Sequence, residues 1–179
     1  MNTVILKWNP SFSSYSMLDY LYDIRIMNLE GKSDFDWSVW DYDKIHAGDR
    51  FYWLKVGMYG QTGIVGRGTI TSEPYEERDW SGRGRKTFYV AYTPELLVNP
   101  DALPVLTSAE LNHEIPGFEW TGGHSGLILS AEQAERLDAL WSKYVLRNVA
   151  EFEKAASLER GSKDLIYSQK FNERNPQRR

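Results

Sequence analysis

Ile45-His46-Ala47-Gly48-Asp49-Arg50-Phe51-Tyr52-Trp53-Leu54-Lys55-Val56, continued by Gly57-Met58-Tyr59-Gly60-Gln61-Thr62-Gly63-Ile64-Val65-Gly66-Arg67-Gly68-Thr69-Ile70-Thr71-Ser72-Glu73-Pro74, is the stretch that decides the fold. Ala47-Gly48-Asp49 reads as a tight turn, and Arg50 to Val56 is rich in the aromatic and β-branched residues that suit a pleated surface. Gly57, Gly60 and Gly63 make an adaptable tip, and Ile64 to Thr71 resumes β-rich sequence, so the segment predicts a hairpin. Gly66 and Gly68 are two residues apart and leave one face of the return strand bare, where a ligand or another backbone comes close. A phosphate-loop reading of Gly63 to Gly68 fails on context. Such a loop joins a strand to a helix whose N-terminus faces phosphate, whereas here strand continues on both sides.

Upstream, Thr3 to Trp8 reads as a strand ended by Asn9-Pro10, because the residue before proline avoids helical geometry and proline has no N–H for a ladder. Helical spacing of Met17, Leu21 and Ile24, with serines as caps and Gly31 as a stop, predicts a helix over about 16–29. Asp34 to Asp43 alternates acidic and aromatic residues and reads as a structured loop or short helical turn. Downstream, Glu73 to Lys86 breaks pattern, and its end, Arg78 to Lys86, reads as a mobile basic loop with four basic residues against one acid. Lys86 to Tyr92 alternates as a strand, with Phe88, Val90 and Tyr92 on one face and Tyr89 and Ala91 on the other, and Thr93-Pro94 ends it. Thr107-Ser108-Ala109-Glu110 has capping-box spacing for a brief helix, Leu127 to Leu129 is a short last strand, and Ser130-Ala131-Glu132-Gln133 opens a long amphipathic helix.

The 179 residues are enough for one well-buried core and short for two. One domain over 1–158 is expected, followed by a polar tail, 159–179, that carries six basic and three acidic residues and is partly ordered. Helices and short strands without steady βαβ alternation predict an α+β fold, a strongly bent sheet or partly open barrel flanked by helices.

The chain is 41% hydrophobic and 26% charged, with seven Trp and eleven Tyr. A net charge of −4 argues against nonspecific coating of nucleic acid. No cysteine is present, which excludes disulfides, thiolate catalysis and cysteine-ligated zinc. His46, His113 and His124 lack metal-ligand spacing, and Asp34, Asp36, Asp41, Asp43 and Asp49 read as solvated acids, so no metal and no cofactor are expected. Met1 to Lys7 lacks the basic start of a signal peptide and no segment has transmembrane length, so no membrane partner and a cytoplasmic location are expected.

Two readings of the aromatic residues stand side by side. In one, Trp37, Trp40, Tyr92 and Trp120 wall a stacking pocket for a base while Arg83, Arg85, Lys86 and Arg67 meet phosphates. In the other, the tryptophans are core and the arginines solubilise a loop.

Lys7-Trp8-Asn9-Pro10, a helix, Trp37-Ser38, Ala47-Gly48-Asp49-Arg50-Phe51 and Gly63 to Gly68 through Ser72-Glu73-Pro74 follow one another in an order that resembles the EVE domain, a relative of YTH and ASCH domains in the PUA-like group. The similarity spans about Thr3 to Trp141. It implies a PUA-like pseudo-barrel that holds a modified base of DNA or RNA. Lys7-Trp8-Asn9 resembles the Lys-Ser-Asn of YTH readers, with Trp in place of Ser, and EVE proteins carry Lys-Ser-Glu-Pro there. Trp37 of Trp37-Ser38 matches the first cage wall, and Tyr92 stands where a second wall is usually Trp. The resemblance therefore implies a noncatalytic reader with Asn9, Trp37, Ser38 and Tyr92 on the base, and no catalytic residue. The alternative is an ASCH-like enzyme acting on RNA or modified nucleosides through groups such as Lys7, Asp49 or His124. A third reading is a module that binds a peptide in its aromatic cleft.

Overall fold

The computed structural model describes residues 1–31, 35–79 and 81–161. Thr3–Trp8 forms β1, and every one of its residues is buried. Ser16 caps the helix Met17–Glu30 (α1): its side chain accepts from Asp19 N while the Asp19 carboxylate accepts from Ser16 N, and Gly31 ends the helix in left-handed geometry at φ 75°. Phe35–Val39 follows as β2, and a 3-10 turn spans Tyr42–Lys44. The hairpin forms as read, from Arg50–Lys55 (β3) and Gly63–Ile70 (β4). Then come Tyr75–Arg78 (β5), Lys86–Leu97 (β6), Leu106–Thr107 (β7), the helix Ser108–Glu114 (α2), Leu127–Ile128 (β8) and the long helix Ala131–Gly161 (α3).

The α+β class is as expected, and the strands make one eight-stranded sheet in the order β2-β6-β4-β3-β1-β8, with β5 on β6 and β7 on β4. β1 and β3 run parallel, Thr3 opposite Arg50 through Trp8 opposite Lys55. The other pairs are antiparallel. Central strands are covered on both sides, which is why β1 and β3 read as near-continuous apolar runs. Alternation splits them between two cores. Val4, Leu6, Trp8, Phe51 and Trp53 face α1, and Ile5, Tyr52 and Leu54 face α2 and α3 together with Trp120, Trp141 and Tyr144.

Three expectations are corrected by strand pairing. Half of the stretch Asp34 to Asp43 is strand, because Phe35–Val39 pairs along its length with β6, Trp37 opposite Val90 and Ser38 opposite Tyr89, while the short helical turn read there forms at Tyr42–Lys44; Asp34 itself lies outside the described residues. The stretch from Glu73 is not patternless, since Tyr75–Arg78 pairs with β6 from Tyr75–Tyr89 to Arg78–Lys86, and the basic residues Arg83 and Arg85 lie in the turn between the two strands. β6 also runs through Thr93-Pro94 to Leu97. A bulge between Arg67 and Gly68 sets Pro94 opposite Gly68, and a bulge is where a sheet tolerates a proline. The tail from 162 onward and Trp80 lie outside the described residues.

The bare face predicted at Gly66 and Gly68 is filled by protein. A Cβ on Gly68 would stand 2.2 Å from Thr93 O and 2.6 Å from Phe51 Cε1, and one on Gly66 2.9 Å from Leu97 Cδ2.

Four tyrosine hydroxyls are held inside these layers, at Tyr15, Tyr20, Tyr52 and Tyr144, and burial pushes each above its ordinary range. The Tyr20 hydroxyl shares its one proton between Val98 O at 2.7 Å and Val65 O at 2.9 Å, and Tyr144 donates to Pro104 O at 2.7 Å. A tyrosine whose pKa is raised by folding contributes stability that is complete below the unfolded value near 10 and lost as pH climbs above it. Burial lowers Lys7 and Lys55, whose opposite effect relieves a penalty as pH approaches 10.5. With more tyrosines than lysines displaced, the urea midpoint is expected to fall between about pH 9 and pH 11. A midpoint that climbs across that range would contradict the buried hydroxyls.

Candidate nucleic-acid site

The C-terminal end of β1 meets an aromatic cluster drawn from β2, β3, β6, α1 and the loop 9–16. Trp8 Nε1 donates to Tyr15 O at 2.7 Å, fixing that loop over the sheet. Tyr15 stacks on Trp53 with ring centroids 5.6 Å apart and meets Trp37 edge-on at 5.7 Å. Its hydroxyl donates to the Asp23 carboxylate. Trp53 sits at the centre, 5.4 Å from both Trp8 and Trp37 and 5.2 Å from Tyr20. The buried Trp53 Nε1–H finds no acceptor among the described residues. A buried donor left this way costs on the order of 1–3 kcal/mol.

Trp37 is half-buried at the rim of this cluster, held by an Nε1 bond to Lys7 O at 3.2 Å. Ser13, Ser14, Asp36, Trp37, Ser38 and Tyr89 line a cavity of about 50 Å³ beside it. Trp37 and Ser38 are thus brought together. Asn9 lies on the far side of the loop: its side chain accepts from Ser11 N at 3.0 Å and packs against Gly57. It lines a separate cavity of about 200 Å³ with Pro10, Met17, Lys55 and Met58. The geometry gives Asn9 the role of a turn-former.

Tyr92 is not a wall facing Trp37. Only 2% exposed, it packs on Phe51 at 4.8 Å, Phe35 at 5.6 Å and Trp53 at 5.9 Å, on the inward face of a strand covered on that side. Trp120 is likewise core, its Nε1 donating to Ile115 O at 2.9 Å. Arg67 is opposite Tyr52 in the β3–β4 register and shares its face, turned toward α3 and away from Trp37. Its guanidinium lies 5.8 Å from the Tyr52 ring and 3.9 Å from Glu95 Oε2. Arg83, Arg85 and Lys86 are exposed at the β5–β6 turn, where Arg85 approaches Asp79 at 3.4 Å and Lys86 approaches Glu76 at 3.9 Å.

Of the groups named for an enzyme, Lys7 lies beside the loop that carries His124, while Asp49 stands apart from both. Lys7 Nζ donates to Glu119 O at 2.7 Å and to Gly122 O, and it lies 4.8 Å from the Phe118 ring. Asp49 is buried near the opposite end of β1, accepting from Asn2 N at 2.7 Å and His46 N at 2.9 Å. At about 3.3 Å per residue, the strand keeps these two side chains on the order of 15 Å apart. His124 stacks on Trp40 at 3.8 Å. Among the described residues, no three histidine, aspartate or glutamate side chains gather as metal ligands.

Two aromatic residues on the Trp37 site were missed by sequence reading. Tyr89 carried a signal, since alternation set it on the opposite face from Tyr92, level with Ser38 once β2 is recognised. Tyr15 carried none, being one ring in a serine-rich loop.

Neither a protein-family profile nor a curated protein matches the sequence. Among solved structures, the chain is similar to Rpa0253 from Rhodopseudomonas palustris, with TM-score 0.40 and 16% identity over 78% of this chain and 92% of that one. It is also similar to the YTH domain of the Zygosaccharomyces rouxii MRB1 protein in complex with N6-methyladenosine RNA, with TM-score 0.40 and 17% identity over 78% of this chain and 85% of that one.

Proposed function

We propose that this chain is a noncatalytic reader of the EVE and YTH kind, which takes one modified base of RNA or DNA against Trp37. The observation that carries the reading is Trp37 itself, an indole half-open at the rim of a buried aromatic cluster whose Trp53 N–H lacks an acceptor among the described residues. Such a rim offers a base one stacking face, with Ser38 and Asp36 beside it to meet polar edges. The cavity of about 50 Å³ holds one or two waters at about 30 Å³ each. A base therefore enters by moving Ser13 and Ser14, with Tyr15 yielding its edge contact to Trp37. Tyr89 replaces Tyr92 as the aromatic neighbour on β6. Exposed Arg83, Arg85 and Lys86 supply salt-sensitive backbone contacts that carry little sequence information.

Oligonucleotides carrying one methylated or hydroxymethylated base, compared with unmodified ones by fluorescence anisotropy, test the reading. The wild type is expected to prefer a modified strand. Trp37→Ala is expected to weaken that complex by about 5- to 150-fold, the equivalent of about 1–3 kcal/mol of stacking, and to erase the preference. Equal binding by wild type and Trp37→Ala would sink the site.

A further inference from the structure

Beyond Val39 the chain leaves the sheet and presents two rings to solvent in quick succession. Trp40 is 57% exposed and Tyr42 43% exposed, and each lies flat on a partner from another part of the chain. Trp40 stacks on His124 at 3.8 Å with 9° between planes, and Tyr42 stacks on Phe88 at 3.7 Å with the same angle. Scattered surface aromatics are ordinary, but two parallel stacks at one end of a sheet are a built feature.

The backbone beneath Trp40 is fixed. Trp40 N donates to Ser125 O at 2.9 Å and Asp41 N to Gly126 O at 3.0 Å, while Asp41 Oδ2 accepts from Ile128 N at 3.1 Å. Gly126 is pressed so closely on β2 that a Cβ there would stand 2.4 Å from Val39 Cα. Lys7 ties the preceding loop from below through Glu119 O and Gly122 O. The Trp40 plate is therefore set before any ligand arrives, which reduces the ordering cost of binding.

Register supplies the charge. Val39 stands opposite Phe88, so the chain leaves β2 at the end where β6 begins at Lys86, next to exposed Arg83 and Arg85. Aromatic plates beside a basic turn are the combination that holds single strands, since every base has a stacking face and every linkage a phosphate. Glu76 stands opposite Phe88 and is approached by Lys86 at 3.9 Å, but the turn from Arg78 to Lys86 carries four basic residues against one acid, and that surplus favours nucleic acid over an apolar peptide.

We infer that Trp40 and Tyr42 form a stacking track for the unpaired nucleotides that flank the base held at Trp37. The inference rests on the proposed reader function and extends it from one base to a short single-stranded segment running from Trp37 toward the β5–β6 turn.

Full-length protein, titrated with single strands of about three, six and nine nucleotides, each with and without one modified base, provides the test. Wild-type affinity is expected to rise with length. Trp40→Ala and Tyr42→Ala should each lower affinity for the longest strand at least about 5-fold and flatten the rise with length, leaving the modified-to-unmodified ratio intact. Both side chains are substantially exposed, so unchanged circular dichroism is expected of both variants. If selectivity falls in Trp37→Ala while the length dependence survives in both track variants, the track is overturned and the pocket stands. If the wild type shows no preference but its binding still drops in Trp40→Ala and Tyr42→Ala, the track stands and the pocket is overturned. Binding of a proline-rich peptide with no binding of nucleic acid would overturn both.

Discussion

Gly68→Val is expected to destabilise the protein by about 3 kcal/mol, a large share of the about 5–15 kcal/mol that holds a domain of this size together. The added Cβ alone would lie 2.2 Å from Thr93 O, 2.6 Å from Phe51 Cε1 and 2.7 Å from Pro94 Cα. Two of those atoms are backbone of β6, paired to β4 on both sides of a bulge, so relief requires separating the strands rather than turning a side chain. Gly122→Ala is the matched control. A Cβ added there would meet no atom within 4 Å, and the Gly122 carbonyl would still accept from Lys7. Its stability in urea titrations should stay within about 0.5 kcal/mol of wild type. A Gly68→Val variant equally close to wild type would contradict the packing at the bulge.

Trp8→Ala is expected to cost about 3–5 kcal/mol, the range for emptying a large aromatic from a core. Trp8 is 1% exposed and touches the rings of Tyr15, Tyr20 and Trp53, so the void falls where three other aromatics depend on it. The loss also removes the donor to Tyr15 O, the bond that holds the loop 9–16 down. Two readouts follow: a lower urea midpoint, and faster chymotrypsin cleavage at exposed Phe12 under native conditions. Unchanged cleavage would show that the loop is held by something other than the indole.

Local chemistry made much of the scaffold legible. Thr3–Trp8, the hairpin around Gly57 to Gly63, the Ser16 cap and the Thr107 cap all rest on residues close in sequence, and each forms where its pattern predicts. What escaped depends on partners far along the chain. Phe35–Val39 has acids between its aromatics and becomes a strand only because β6 pairs with it. Pro94 reads as a stop and is not one, because β6 bulges at Glu95, which is skipped in the pairing with β4, and that bulge shows only once the two strands are paired. The site divides in the same way. Trp37 and Ser38, matched by resemblance, line one cavity, whereas Tyr92 lies on the same face of the sheet as Trp37 but buried in the core, and Arg67 lies on the opposite face. Tyr89, on the same strand as Tyr92 but on its other face, is the ring that shares the cavity with Trp37. The loop that brings Tyr15 onto Trp37 has no periodicity to read.

The place of β1 between β3 and β8 also constrains how the chain is made. It leaves the ribosome before either of its partners, Arg50–Lys55 on one side and Leu127–Ile128 on the other. Until residue 128 has emerged, an apolar strand therefore waits with at least one open edge, the condition that invites pairing between nascent chains. Fragments ending before β8 should aggregate during translation, while those that include α3 should remain dispersed in a sedimentation assay.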